Sequence, residues 1–282
     1  MPTIRVASPA KLNLFLHITG KRTDGYHLLE SLVVFTAFGD WLEIAPSEHM
    51  SLEITGPFAA SLSHEPNNLA LRAAQLLQQY ADVKKSARIT LHKAIPVGAG
   101  LGGGSANAAA VLRGLQQLWN LQLNEDALSQ LARQLGSDVP VCLLSQTSWV
   151  TGIGEAIAPV AGFPQKAFLL VNPGIPLSTE YVFGHVTPPF TSPITIPVGL
   201  NTVLTAHNDL QKSAIILLPV IEEMLTAIAS TDHCHLSRMT GSGATCFGMY
   251  DTLEQAQAAK QHIQAAQPSW WCVATTLYER AN

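Results

Sequence analysis

The stretch Pro96-Val97-Gly98-Ala99-Gly100-Leu101-Gly102-Gly103-Gly104-Ser105-Ala106-Asn107 holds five glycines between a strand-like pattern at 88–93 and an Ala-rich helical pattern at 106–118. Glycine lacks a Cβ, so consecutive backbone N–H groups can turn toward one point. The following helix adds its free amides and the positive end of its dipole. We therefore predict a phosphate-binding loop, called here the glycine loop (residues 96–106). A flexible linker is the alternative, but linkers do not interrupt two periodic segments in this way.

The spacing of the glycines narrows the class of phosphate loop. The P-loop of many NTPases ends in Gly-Lys-Ser or Gly-Lys-Thr, whereas Gly104 is followed directly by Ser105. Gly98, Gly100 and Gly103 match the Gly-x-Gly-x-x-Gly pattern of dinucleotide-binding proteins. That pattern belongs at a first βα turn, and several predicted strands precede the loop here. The match keeps a nicotinamide-dependent oxidoreductase as an alternative, and the position of the loop argues against it.

The composition favours a cytoplasmic protein that binds small molecules. The chain has 282 residues and a net charge of −4, without a Lys or Arg block for nucleic acid. Its four scattered cysteines include no Cys-x-x-Cys pair, so we expect neither a zinc site nor a redox dithiol. No signal-peptide pattern follows Met1, and prolines break the charge-free stretch 181–207, so we expect neither export nor a membrane helix. The oligomeric state is left open.

The order of strand and helix patterns predicts an α+β protein with two domains. Short strands at 3–7 and 12–18 begin the first half, and helices flank the glycine loop. The second half repeats such a mixture and includes a helical pattern at 203–212. We expect an N-terminal domain over residues 1–155 and a C-terminal domain over 156–282, with a ligand cleft between them.

Three further segments carry residue types that a phosphoryl-transfer site uses. Lys11 and Asn13 share one face of a predicted strand, opposite two leucines. Asp138 follows a predicted helix end and precedes an apolar run that we predict as a strand. Thr240-Gly241-Ser242-Gly243 forms a second glycine turn with two hydroxyls. Taken singly, they could be a surface charge, a turn residue and a hairpin, but together they favour a phosphate-transferring site.

The three glycine and lysine segments, in this order and at these separations, resemble the motifs of the GHMP kinase superfamily. The matching stretches are Pro9-Ala10-Lys11-Leu12-Asn13-Leu14, the glycine loop, and Thr240-Gly241-Ser242-Gly243-Ala244. The resemblance implies a two-lobed α+β GHMP kinase fold, with an N-terminal ribosomal-protein S5-like domain and a C-terminal ferredoxin-like domain. It also implies that ATP binds on the glycine loop and gives its γ-phosphoryl group to an alcohol of a small molecule.

Other segments resemble one branch of this superfamily, whose members phosphorylate the 2-hydroxyl of 4-diphosphocytidyl-2-C-methyl-D-erythritol in non-mevalonate isoprenoid biosynthesis. The products implied are the 2-phosphate and ADP. A homoserine- or mevalonate-type kinase, or a related diphosphate decarboxylase, is the closest alternative, and a nucleotide-sensing module without catalysis is a third class. The segments that carry the narrower resemblance are Gly20-Lys21-Arg22-Thr23-Asp24-Gly25-Tyr26-His27, Asn67-Asn68-Leu69, Gly136-Ser137-Asp138-Val139-Pro140 and Asn208-Asp209-Leu210.

The resemblance also assigns roles to individual residues. It implies Asp138 as the base for the hydroxyl proton and Lys11 as the cation that offsets negative charge. It implies the glycine loop around the β- and γ-phosphates, Asn68 near the adenine, and Mg²⁺ as a cofactor. Ser105 could bind phosphate or magnesium, whose ligands are otherwise left open. The implied acceptor-binding residues are Tyr26, His27 and Phe183 for the cytosine, and Asn13, Lys93, Asp138 and Thr179 for the erythritol and diphosphate.

Overall fold

The computed structural model describes residues 3–62, 67–194 and 199–279. Its strands are β1 (Ile4–Lys21), β2 (His27–Ser47), β3 (Ser51–Thr55), β4 (Ser86–His92), β5 (Ser148–Gly152), β6 (Ala156–Pro159), β7 (Ala167–Asn172), β8 (Leu236–Met239), β9 (Cys246–Tyr250) and β10 (Trp271–Thr276). Its α-helices are α1 (Leu69–Tyr80), α2 (Gly103–Trp119), α3 (Glu125–Leu135), α4 (Val139–Leu144), α5 (Thr179–Gly184), α6 (Leu200–Thr205), α7 (Leu210–Leu217), α8 (Val220–Ala229) and α9 (Leu253–Ala266).

The chain forms two compact units, each a mixture of helices and strands. The first unit comprises residues 1–10, 39–97 and 102–145, and the second comprises residues 11–38, 98–101 and 146–282. The predicted α+β class is confirmed. The predicted domain boundary between residues 155 and 156 stays a prediction.

In the first unit, helices cover a small sheet. Strand β4 lies between β3, which is parallel to it, and the C-terminal part of β2, which is antiparallel. Helix α2 packs against α1, α3 and α4. Its alanines are almost fully buried. Small side chains let neighbouring helices approach closely, so the Ala-rich sequence after the glycine loop produces a central, buried helix.

In the second unit, helices pack on a four-stranded antiparallel sheet of order β10-β7-β9-β8. Helix α8 contacts β8 and β9, and α9 contacts β7, β9 and β10. Every residue of β7 and β9 is buried, as expected for central strands whose apolar runs are continuous. Strand β5 pairs with the N-terminal part of β2 and with β6.

Two strand predictions near the N-terminus and one after Asp138 differ from the structure. The strands predicted at 3–7 and 12–18 are parts of the single strand β1. The apolar run after Asp138 forms helix α4, so the predicted strand there is wrong. Pro140 suits the first turn of a helix, where its missing N–H costs nothing, and would interrupt the hydrogen bonds of a strand.

A tertiary contact stabilises the short helix α4. Arg113 of α2 donates from Nη1 to the carbonyls of Cys142 and Leu143 at 3.0 and 3.1 Å. Its Nη2 donates to the carbonyl of Ala7 at 3.0 Å. The last carbonyls of a helix have no partner within the helix. Arg113 supplies those partners, and the local sequence pattern of residues 139–144 does not reveal it.

The helix predicted at 203–212 is divided into α6 and α7. The backbone between them pairs instead with β1: Leu16 N–H donates to the carbonyl of His207 at 3.0 Å, and Asp209 N–H donates to that of Leu16 at 2.9 Å. The charge-free stretch at 181–207 includes part of α5 and all of α6, and its residues 195–198 lie outside the described residues. In the described part of the chain, no helix has the length and apolarity needed to cross a membrane.

We predict that Arg113→Met destabilises the protein by about 2–4 kcal/mol, because the carbonyls of Cys142, Leu143 and Ala7 lose a charged donor. The matched control is Arg133→Met in α3, where the arginine is exposed, and its effect should stay within about 0.5 kcal/mol. Urea denaturation of both variants measures the difference. Equal stability of the two variants would contradict the role of Arg113 as the support of α4.

Candidate active site

The glycine loop leads into a helix N-terminus without a side-chain cap. Gly98, Gly100 and Gly102 adopt positive φ angles of 68°, 75° and 62°, a region that side chains disfavour. Helix α2 begins at Gly103, three residues earlier than the predicted start at Ala106, and no side chain caps it in the described part of the chain. Its first-turn N–H groups therefore lack helical partners and suit an anion.

A buried salt bridge lies beside the start of α2. Lys93, which is only 3% exposed, pairs with the carboxylate of Asp40, and its Nζ lies 3.3 Å from Oδ1 of Asn107. Asp40 Oδ1 accepts the N–H groups of Ala94 and Ile95 at 2.7 and 2.8 Å. Asn107 Nδ2 donates to Asp40 Oδ2 at 2.8 Å. These bonds join β2, the end of β4 and α2 within the first unit.

The first two glycines of α2 differ in what surrounds them. A Cβ on Gly103 would lie 2.8 Å from Lys93 Nζ and 3.3 Å from Ile95 Cγ2, whereas a Cβ on Gly104 would have nothing within 4 Å. Gly103 is therefore required by the packing of the salt bridge. Gly104 faces open space at the helix start, so a side chain there would meet no neighbouring protein atom.

The second glycine turn joins β8 and β9, which form an antiparallel hairpin. Thr240 N–H donates to the carbonyl of Thr245 at 3.0 Å, and the two glycines of the turn have φ angles of 55° and 88°. Thr245 N–H donates to the carbonyl of Ala99 at 3.3 Å. A Cβ on Gly100 would lie 2.6 Å from the carbonyl oxygen of Gly243. The hairpin turn therefore packs directly on the part of the glycine loop that belongs to the second unit.

Lys11 and Asn13 are buried in β1, so Lys11 is not an ordinary surface charge. Lys11 N–H donates to the carbonyl of Leu101 at 2.9 Å. Asn13 N–H donates to Thr240 Oγ1 at 2.8 Å, and its Nδ2 donates to Ser31 Oγ at 2.7 Å. Its Oδ1 is buried and has no partner among the described residues. An unmet buried acceptor costs about 1–3 kcal/mol, which a ligand donor would offset.

The predicted aromatic residues come together in part. The ring centroids of His27 and Phe183 lie 5.5 Å apart at an interplanar angle of 40°, while Tyr26 is 62% exposed. Nε2 of His27 is buried without a partner among the described residues. Burial lowers the pKa of His27 below its ordinary value, and the positive charge of Lys21 lowers it further. The imidazole is therefore neutral at pH 7 and carries one donor and one acceptor nitrogen.

The remaining predicted residues occupy helix starts. Asn68 caps α1, because its Oδ1 accepts the N–H of Ala70 at 2.9 Å. Asp138 precedes α4 without a capping hydrogen bond from its side chain, and it is half-buried. Thr179 begins α5, and its hydroxyl lies 2.8 Å from that of Ser242. No group of three or more His, Cys, Asp or Glu side chains that could hold a metal occurs among residues 3–62, 67–194 and 199–279.

Several supporting residues were not predicted from the sequence. Asn208 donates from Nδ2 to the carbonyls of Met239 and Gly241, both at 2.8 Å, and so fixes the second glycine turn. Asp40 and Asn107 enclose the ammonium of Lys93. A charged residue inside the apolar pattern of β2 was the available signal for Asp40, and the motif around Asn208 was the signal for that residue.

Two family models match the chain, one described as GHMP kinases N terminal domain over residues 68–146 and one as GHMP kinases C terminal over 198–269. Similar relatives include 4-diphosphocytidyl-2-C-methyl-D-erythritol kinases of Paramagnetospirillum magneticum (47% identity, 98% of this chain, 99% of the relative) and Paracoccus denitrificans (47%, 97% and 96%). A crystal structure of 4-(cytidine 5'-diphospho)-2C-methyl-D-erythritol kinase matches with a TM-score of 0.85, 32% identity and coverage of 98% and 100%. Homoserine kinase from Cytophaga hutchinsonii (TM-score 0.71, 14% identity, coverage of 98% and 95%) shares the fold.

We predict that Gly104→Ala weakens ATP binding roughly 10-fold, because a methyl group enters the space in front of the helix amides. The melting temperature of Gly104→Ala should stay unchanged or rise slightly, since alanine favours a helix. Gly103→Ala is the contrast, because its methyl group meets Lys93 and should lower the melting temperature. Calorimetry with a non-hydrolysable ATP analogue and thermal denaturation separate the two effects. An unchanged nucleotide affinity of Gly104→Ala would place the phosphates elsewhere.

Proposed function

We infer the roles of individual residues from one premise: the chain belongs to the 4-diphosphocytidyl-2-C-methyl-D-erythritol kinases, a family within the GHMP kinases. It is an ATP-dependent small-molecule kinase. It transfers the γ-phosphoryl group of ATP to the 2-hydroxyl of 4-diphosphocytidyl-2-C-methyl-D-erythritol, giving the 2-phosphate and ADP, in isoprenoid precursor biosynthesis. This identity leaves the oxidoreductase and the non-catalytic nucleotide sensor without support. We keep the cytoplasm as its proposed location.

The glycine loop is proposed to hold the β- and γ-phosphates. Phosphoryl transfer needs positioned partners and stabilised negative charge more than covalent help from the protein. The observation that carries this assignment is the uncapped N-terminus of α2, preceded by three glycines with positive φ. Backbone amides there can donate to phosphate oxygens, and the helix dipole favours the negative charge.

The salt bridge with Asp40 favours a supporting role for Lys93. A direct contact with the acceptor would require its buried ammonium to leave or share its carboxylate partner. A buried ion pair loses several kcal/mol when one partner is removed. We propose that Lys93 and Asp40 hold the start of α2 in position, and that the adenine lies near Asn68 at the start of α1.

Magnesium is proposed to arrive with the nucleotide. Mg²⁺ usually keeps several waters and binds substrate phosphates with only one or two protein ligands. The donor set fits this mode, since the described residues include no acidic cluster for the ion and the first turn of α2 contains a serine hydroxyl. Ser105 would supply that hydroxyl oxygen. Bound magnesium would neutralise charge that develops on the phosphate oxygens.

Asp138 is proposed as the base and Lys11 as the cation. As the acceptor oxygen bonds to the γ-phosphorus, the bond to the β–γ bridging oxygen breaks, ADP leaves, and the hydroxyl proton passes to the Asp138 carboxylate. Asp138 lies half-buried directly before α4, within the segment 136–140 that carries the narrower family resemblance. The burial of Lys11 supports a role for its charge, because a buried ammonium is costly unless it is compensated.

The acceptor is proposed to bind to side chains of the second unit. Phe183 and Tyr26 would stack on the cytosine, and His27 would bind its polar edge. The unmet Nε2 of His27 and the unmet Oδ1 of Asn13 support this assignment, because each buried atom lacks a partner among the described residues. The hydroxyl of Thr179, paired with Ser242, would donate to the erythritol diphosphate part.

We expect Asp138→Asn to lower kcat by roughly 100-fold or more, because the amide cannot accept the hydroxyl proton. The KM for ATP and the melting temperature should change little. Asp126→Asn in the first turn of α3 is the control, since it makes the same change at an exposed carboxylate of the first unit. A coupled assay of ADP release measures both, with homoserine and mevalonate as comparison acceptors. Normal turnover of Asp138→Asn would remove this residue from the mechanism.

His27→Ala should raise the KM for the acceptor far more than the KM for ATP. It should also reduce the preference for the cytidine acceptor over its uridine analogue, because the polar edge of the base loses a partner. His262→Ala, at an exposed position of α9, is the control. Steady-state kinetics with both acceptors measures these values. If His27 only packs structurally, both KM values will move alike and the base preference will stay unchanged.

A further inference from the structure

A second aromatic ring, besides that of Phe183, contacts His27 from a part of the chain that the motifs do not cover. Phe190 lies edge-on to the imidazole, with ring centroids 6.4 Å apart and an interplanar angle of 78°. It is half-buried against the core of the second unit, as is Phe183. Phe190 belongs to the charge-free stretch 181–207, so this contact links that stretch to His27.

The residues that follow Phe190 are held by the strands beneath them. Thr191 N–H donates to the carbonyl of Ile18 at 3.0 Å, and its hydroxyl donates to Asp209 Oδ2 at 2.9 Å. Ile194 N–H donates to Glu30 Oε2 at 2.8 Å. Residues 191–194 form neither helix nor strand, so these contacts determine their course. Phe190 is therefore presented at a defined position although it lies outside regular structure.

Phe183 and Phe190 both lie against the ring of His27. A neutral imidazole has one donor and one acceptor nitrogen, so its orientation decides which polar groups of a base it can match. Cytosine and uracil differ by exchange of an amine donor for a carbonyl acceptor on that edge. A ring free to turn would accommodate both, whereas a fixed ring leaves an unpaired group with the wrong base.

We propose that Phe190 is a specificity-determining residue of the acceptor site, which fixes the imidazole of His27 for cytosine, and that Thr191 and Asp209 position Phe190. The proposal rests on the cytosine pocket proposed above. Phe190 acts through His27 and keeps water from its buried edge. A purely structural phenylalanine would affect stability and both substrates alike.

The test compares Phe190→Leu with Phe38→Leu, a half-buried phenylalanine of the same unit that packs against Trp271 instead. We expect Phe190→Leu to lower the cytidine-to-uridine ratio of kcat/KM roughly 10-fold and to leave the KM for ATP unchanged. In NMR titration of the free protein, the pKa of His27 should rise toward its ordinary value, with the charge of Lys21 unaltered. Phe38→Leu should change neither measurement.

Thr191→Val gives a second variant that keeps the aromatic ring of Phe190 and removes the contacts of the Thr191 hydroxyl with Asp209 and with Nε2 of His207. It should shift base preference in the same direction by a smaller factor, and Thr191→Ser, which keeps the hydroxyl, should restore it. If Phe190→Leu and Thr191→Val leave base preference and the His27 pKa unchanged while His27→Ala alters base preference, the proposal fails and the cytosine pocket stands. If His27→Ala also leaves base preference unchanged, the pocket itself fails.

Discussion

The buried salt bridge between Lys93 and Asp40 is the interaction on which the first unit depends. Burying two charges is favourable only when hydrogen bonds satisfy them. Here Asp40 accepts two backbone N–H groups and the amide of Asn107 in addition to the ammonium. The same bonds hold the end of β4 next to the first turn of α2. Among the residues that the structure describes, no side chain caps the start of α2, so neighbouring contacts set its position.

In the second unit, buried side chains hold irregular backbone in place by donating to its carbonyls. Arg238 donates from Nη1 to the carbonyls of Leu14 and Val203 at 2.6 and 2.9 Å, and Asn208 binds two carbonyls of the second glycine turn. These side chains order backbone that has few regular partners. In this ordered setting, Asn13 and His27 keep buried polar atoms without partners among the described residues. Such atoms weaken the folded state, and ligand binding would recover the loss.

The family motifs indicate the reaction of this protein, whereas its structure shows which groups the side chains contact. The motifs around Lys11, the glycine loop and Thr240 led from the sequence to the reaction through their resemblance to those of the GHMP kinases. The contacts of Lys93 could not be read in the same way. A lysine next to a strand has the same sequence pattern whether its ammonium faces a ligand or a buried carboxylate. Only the position of Asp40, which is distant in sequence, distinguishes the two.

The sequence by itself determined the α+β class, the glycine loop before α2 and the motifs of the kinase family, since these depend on short-range periodicity and on glycine conformations. Tertiary structure decided the rest. The helix at 139–144 is stabilised by Arg113, which donates to two of its carbonyls, and the helix predicted at 203–212 divides because its middle pairs with Leu16 of β1. Phe190 lies against His27 because Asp209 and Glu30 hold the segment that follows it. Each of these outcomes depends on hydrogen-bond partners far away in the chain, and local patterns carry no information about such partners.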